Sequence, residues 1–134
     1  MRAALAGAVY FLVVYVAGFA LGVVRVTLVA PRLGATGAVL LELPFMLAAS
    51  WIACRWIIRR LAVAPRDSAR LVMGCCAFGL LMLSETALGV VAFGRTPAAQ
   101  IAALGELAGM LGLGGQVMFA LLPLIQRRVP PHYR

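Results

Sequence analysis

The chain has 134 residues, 64% of them hydrophobic and 12% charged, with a mean hydropathy of +1.03. A soluble domain runs nearer ~45–50% apolar and ~25% charged, so this composition belongs in a bilayer. At about 20 residues per span, the length allows about four membrane helices in one domain and excludes a separate soluble catalytic domain. The formal net charge of +8 comes from 12 basic residues against 4 acidic ones, and every basic residue is arginine. That bias, with the excess of Ala, Gly, Val and Leu, points to a GC-rich bacterial genome.

Four apolar stretches are bounded by turn or charge signals. The first is expected from about Leu5 to Leu28 and the second from about Ala38 to Ile58. The third is expected from about Leu71 to Phe93, after Pro65, Arg66, Asp67 and Ser68, where Asp67 or Ser68 would cap the helix start. The fourth ends near Ile125 and is placed over about 102–125. Thr96 before Pro97 also reads as an N-cap with a first-turn proline, giving about 29 residues to Ile125. A helix that long either tilts or opens with an interfacial turn over Ala98–Leu104. Arg2 ahead of an apolar run with Ala17, Gly18 and Ala20 has features of a secretory signal. The run is about 22 residues against about 7–15 in a cleavable segment, so an uncleaved first helix is expected.

The expected fold is therefore all-α, a polytopic membrane four-helix bundle of a single domain. An even number of spans puts both termini and the central loop on one side. That side holds Arg2, Arg59, Arg60, Arg66, Arg70, Arg127, Arg128 and Arg134, with Arg55 just inside the second helix. The other side holds Arg32 and Arg95, with Arg25 just inside the first helix. The positive-inside rule makes the arginine-rich side cytoplasmic, giving a bacterial inner-membrane protein with both termini in. The basic charge then serves orientation and contact with anionic headgroups. No folded soluble basic face is present for a nucleic acid. Trp51 and Trp56 among Arg55, Arg59 and Arg60 read as an interfacial anchor belt.

Charged groups at membrane depth cost at least about 2.5–3.5 kcal/mol each on insertion scales, so they are the first places to look for function. The candidates are Arg25, Glu42, Glu85 and Glu106, all in the outer half of their spans. Glu85 lies about eight residues before the outer end of the third helix, about 12 Å deep at 1.5 Å per residue. Tyr15, Gly18, Gly22 and Arg25 share one helix face. Gly18 and Gly22 form a GxxxG pair that admits a close neighbour. An ion pair of Arg25 with Glu42 is the first expectation, with Glu85 the next candidate for Arg25. Tyr15 is expected to find Gln116 at similar depth.

Such a pair reads first as a device that fixes helix register or a subunit contact, and second as a transport site. Glu85, flanked by Ser84 and Thr86, is the sharper case. Desolvation favours the neutral form of a carboxyl, a property that suits a proton- or cation-exchanging group. Pro44 frees the carbonyl of Leu40 and crowds the preceding turn, which either builds a site beside Glu42 or marks the true start of the second helix.

Gly105, Gly109 and Gly112 form a small-residue stripe continued by Gln116, and Gly105 with Gly109 is a second GxxxG. These faces suit internal packing, a homodimer or docking in a larger membrane complex. Cys54, Cys75 and Cys76 fall near the cytoplasmic helix ends and read as packing residues in a reducing compartment. The one histidine, His132, lies in the tail, so no haem, metal site or other cofactor is expected. Ser50, Ser68 and Ser84 have no histidine to activate them, so no enzyme is expected.

The run Arg25-Val-Thr-Leu-Val-Ala-Pro-Arg32-Leu-Gly34, followed by Glu42-Leu-Pro-Phe-Met-Leu-Ala-Ala-Ser-Trp51 and Cys54-Arg-Trp56, resembles a group of small uncharacterised four-helix inner-membrane proteins of GC-rich bacteria. The resemblance extends through Gln116 and Pro123. It implies an architecture and no activity. In size and helix number the chain is also similar to the small multidrug resistance exporters, whose pattern has an acidic residue in the first helix where this chain has Arg25. The function expected from these readings is that of a non-enzymatic accessory or assembly subunit. The alternative is a small proton- or cation-coupled carrier or channel built on Glu85.

Overall fold

The structure, a computed structural model, describes residues 1–128. His132 and Arg134, placed above in the cytoplasmic tail, lie outside the described residues. Among the described residues there is no strand. The elements are α1 (Arg2–Val24), a π-helical segment (Arg25–Val29), α2 (Ala30–Arg60), α3 (Asp67–Val91), α4 (Pro97–Ala103) and α5 (Leu107–Ile125). Three helical stretches are long and apolar enough to cross a membrane: Arg2–Arg60, Asp67–Val91 and Leu107–Ile125.

The first of these is a hairpin. As a straight rod its 59 residues would measure about 90 Å, three times the ~30 Å hydrocarbon thickness of a bilayer. The reversal comes at Gly34, whose φ of 75° and ψ of 174° break the helix in a region that side chains with a Cβ avoid. The arms run antiparallel, with Gly18 against Met46 and Arg25 against Glu42. The interval between about 29 and 37, expected as a connection, is helical on both sides of that single residue. The helix also continues through Pro44, so Pro44 is not its start.

The fourth span is shorter than expected. Thr96 caps α4 as the sequence suggested, accepting a hydrogen bond from the Ala99 amide at 3.1 Å. A turn then separates α4 from α5, which begins at Leu107 rather than 102. The glycine stripe is cut at the same point. Gly105 lies in the turn, and a Cβ on Gly109 would collide with the Ala103 carbonyl of α4.

Each long helix packs on two others in a ring: α1 on α2 and α3, and α5 on α2 and α3. The successive helices α2 and α3 therefore sit across a diagonal, and residues 61–66 cross the end of the bundle. Two devices hold that crossing. α2 ends with Ala62 in the left-handed region, φ 48°, while the Val63 amide donates to the Ile58 carbonyl at 3.1 Å. This is the double-bonded helix terminus that normally uses glycine.

Arg70, fully buried, donates from Nε to the Ala64 carbonyl and from Nη2 to the Val63 carbonyl, each at 3.2 Å. Arg70 thus turns inward and clamps the loop, correcting its expected place among the headgroup contacts. The expected cap on α3 is also different. Arg66 occupies the cap position without a side-chain bond, and Asp67 pairs with Arg127 at 3.3 Å.

The core lies at this arginine-rich end. Ala6, Tyr10, Val14, Ala53, Cys54, Ile57, Ile58, Val63, Met73, Ala77, Phe119 and Leu122 form one buried cluster. Gly7 brings α1 onto α3, where an added Cβ would meet the Met73 carbonyl at 2.5 Å. Gly74 brings α3 onto α5, where a Cβ would collide with the Ala120 carbonyl. Pro123 has no amide to bond the carbonyl four residues back, that of Phe119. The Tyr10 hydroxyl donates to that carbonyl at 3.0 Å, and the Tyr10 ring stacks on Phe119 at 4.4 Å. A polar group that would be costly in an apolar interior is thereby satisfied.

Candidate functional site

The opposite end of the bundle carries one polar side chain from each of its four long helical segments. Arg25 comes from the π-helical segment, Glu42 from α2, Glu85 from α3 and Gln116 from α5. A π turn widens the helix, and such turns occur frequently at functional positions. Here it carries Arg25, whose Nε lies 2.8 Å from a carboxylate oxygen of Glu42, with side-chain exposures of 38% and 17%. Thr27 in the same segment donates its hydroxyl to the Val23 carbonyl at 2.7 Å. A small cavity of about 110 Å³ lies against the ion pair, lined also by apolar side chains including Leu21, Ala38, Leu41 and Phe45.

The second half of the cluster is Glu85 with Gln116. The Gln116 side-chain amide donates to Glu85 Oε2 at 2.7 Å. The Arg25 guanidinium is in contact with the Glu42 carboxylate, and Glu85 is held by Gln116. In a low-dielectric surrounding such charges interact far more strongly than in water.

Glu85 stays exposed at the bundle surface, as does Thr86, whose carbonyl accepts from the Gln100 side chain of α4 at 3.4 Å. The arrangement can hold a cation, relay a proton, or bind a polar group brought by a partner.

Other candidate residues are placed differently. Tyr15 does not meet Gln116; its ring leans on Phe11 at 5.1 Å, and Gln116 is taken by Glu85. Tyr10, one turn and a half nearer the N-terminus, is the tyrosine with a buried polar partner. Glu106 caps the start of α5 with its backbone and makes no side-chain cap bond, so it stands apart from the cluster. A carboxylate there still complements the helix dipole.

Gly18 packs on Met46, while Gly22 and Gly112 have open space where a side chain would be. Gly22 adjoins Arg25 and Gly112 adjoins Gln116 at helical spacing. Cys54 is buried, Cys76 half-buried and Cys75 exposed. Among the described residues no three metal-ligating side chains converge.

The sequence reading missed the residues that hold the bundle together. Tyr10 was legible in principle, because Pro123 announces a free carbonyl at Phe119. Arg70, Gly7 and Gly74 carried no local signal, since their partners are distant in sequence. Comparison with known protein families, with characterised proteins and with solved structures finds no match.

Proposed function

We propose that this chain is a non-enzymatic integral protein of a bacterial inner membrane that serves as an accessory or assembly subunit, pairing with a second copy or with a larger membrane complex. The arginine-rich end, with both termini, is cytoplasmic in this reading. The observation that carries it is the exposed Glu85–Gln116 pair beside the open faces at Gly22 and Gly112. A carboxyl left against lipid is costly, and a partner helix laid on the glycine faces would cover it. The resemblance to small inner-membrane proteins of GC-rich bacteria implies the same architecture and adds no activity.

Native mass spectrometry of the full chain in mild detergent tests the proposal. A dimer or a co-purifying membrane protein is expected, and Gly112→Leu, built where the bundle itself has room, abolishes that association without unfolding the chain. A strictly monomeric, partnerless species overturns it.

One specific observation favours a second reading. Two polar pairs, Arg25 with Glu42 and Gln116 with Glu85, lie at the same end of the bundle and draw on all four long helical segments, as a site in a small proton- or cation-coupled carrier would require. Flux of protons or monovalent cations in reconstituted vesicles, lost in Glu85→Gln, would identify a carrier; vesicles with no such flux exclude it.

A further inference from the structure

At the arginine-rich end, a cavity of about 350 Å³ opens between the start of α1 and the end of α2, lined by Arg2, Leu5, Arg60, Leu61 and Ala62. From this geometry we infer that the cavity is a binding site for one phosphate-bearing anion, either the headgroup of an acidic phospholipid or free phosphate.

Charge is the first argument. Two arginines line the cavity and no acidic residue does. Among the described residues the acidic side chain at this end is Asp67, and Arg127 holds it at 3.3 Å. Arg2 sits in the first turn of α1, where the helix dipole disfavours a cation. An anion bound beside Arg2 and Arg60 would offset that conflict, at the start of a helix whose cap position makes no side-chain bond. Arginine is suited to this task because its planar donors match the oxygen pairs of a phosphate.

Position is the second argument. Arg60 lies over the Trp56 ring at 5.5 Å, a contact that holds the guanidinium at the level where tryptophan sits in a membrane interface. Leu5 and Leu61 give the same cavity apolar walls, which suit the start of an acyl chain below a headgroup. Its volume lies within the ~300–1,000 Å³ of small-ligand sites. Basic pockets between spanning helices on the cytoplasmic side suit anionic headgroups.

This inference rests on the reading of the arginine-rich end as lying at a membrane surface. That reading has its own check: the chain must stay with the membrane after alkaline carbonate extraction, whatever the cavity binds.

The site is tested on the full chain purified in mild detergent, by native mass spectrometry with phosphatidylglycerol, phosphatidylcholine and inorganic phosphate as probes. Retention of one phosphatidylglycerol in preference to phosphatidylcholine is expected. Arg2→Gln with Arg60→Gln should weaken it by roughly ten- to thirty-fold, the loss for two arginines at a membrane surface. Arg2→Lys with Arg60→Lys should keep most of it, which separates lost charge from lost fold. Arg32→Gln with Arg95→Gln, at the other end, should leave it unchanged.

Displacement of the lipid by millimolar inorganic phosphate assigns the site to free phosphate, and failure of phosphate to compete assigns it to the headgroup. Unchanged retention in the Arg2/Arg60 glutamine pair, or an equal loss in the Arg32/Arg95 pair, overturns the inference.

Discussion

The two halves of the bundle are built from the same helices and differ in how they close. In the arginine-rich half, Gly7 and Gly74 let backbones touch, and Tyr10, Ile57, Ile58, Val63 and Met73 fill the space between with almost no exposed surface. In the glutamate half the buried residues are few and small, Ala38, Val39 and Gly89. There the groups that meet are Arg25, Glu42, Glu85 and Gln116, while Gly22 and Gly112 face open space. Residue size and polarity at the contact positions account for the difference. Close packing stabilises one half, whereas the other half pairs its polar groups, Arg25 with Glu42 and Gln116 with Glu85, and keeps Glu85 at the surface.

The sharpest way to break this comparison is at Arg70. Arg70→Met deprives two loop carbonyls of their donor in a closed interior, and should lower unfolding stability by about 2–4 kcal/mol, measured by denaturant titration in detergent. A loss under about 0.5 kcal/mol would show that the diagonal crossing needs no clamp.

Next comes a matched pair of glycines. Gly74→Val forces α3 from α5 and should cost about 1–3 kcal/mol, whereas Gly112→Val should stay within about 0.5 kcal/mol in the isolated chain. Equal effects would erase the contrast between the halves.

Tyr10→Phe should cost about 1–2 kcal/mol by leaving the Phe119 carbonyl unpaired. In a Pro123→Ala background that carbonyl regains its helical amide, so the same change should cost less there; a double-mutant cycle measures the coupling.

The smallest effect is expected at Glu85→Gln. The new amide oxygen still accepts from Gln116, so stability should move by less than about 0.5 kcal/mol, even where association or flux is lost. A large loss of stability would instead make Glu85 part of the framework.

Much of the architecture was legible because its signals are local. The apolar stretches, the Thr96–Pro97 helix start and the pairing of Arg25 with Glu42 follow from hydropathy, capping chemistry and the closeness of two residues across one hairpin. The site was legible in its members and less so in its contacts. Gln116 was assigned to Tyr15 on depth alone, and depth says nothing of how far a helix is rotated about its axis. The small-residue motifs misled for a related reason. Gly105 and Gly109 share a spacing but not a helix, and the glycines that let one long helix approach the backbone of another, Gly7 and Gly74, belong to no GxxxG.

By itself, then, the sequence determined that this is a chain of apolar helices with one strongly basic end and a few carboxylates kept toward the other. Those properties are sums over neighbouring residues, and neighbours in sequence suffice to compute them. Tertiary structure alone decided that α2 and α3 stand on a diagonal, that Arg70 points inward, that Gln116 meets Glu85, and that Arg2 and Arg60 face one cavity. Each of these depends on the rotation and order of helices around the ring, which close packing between distant segments selects.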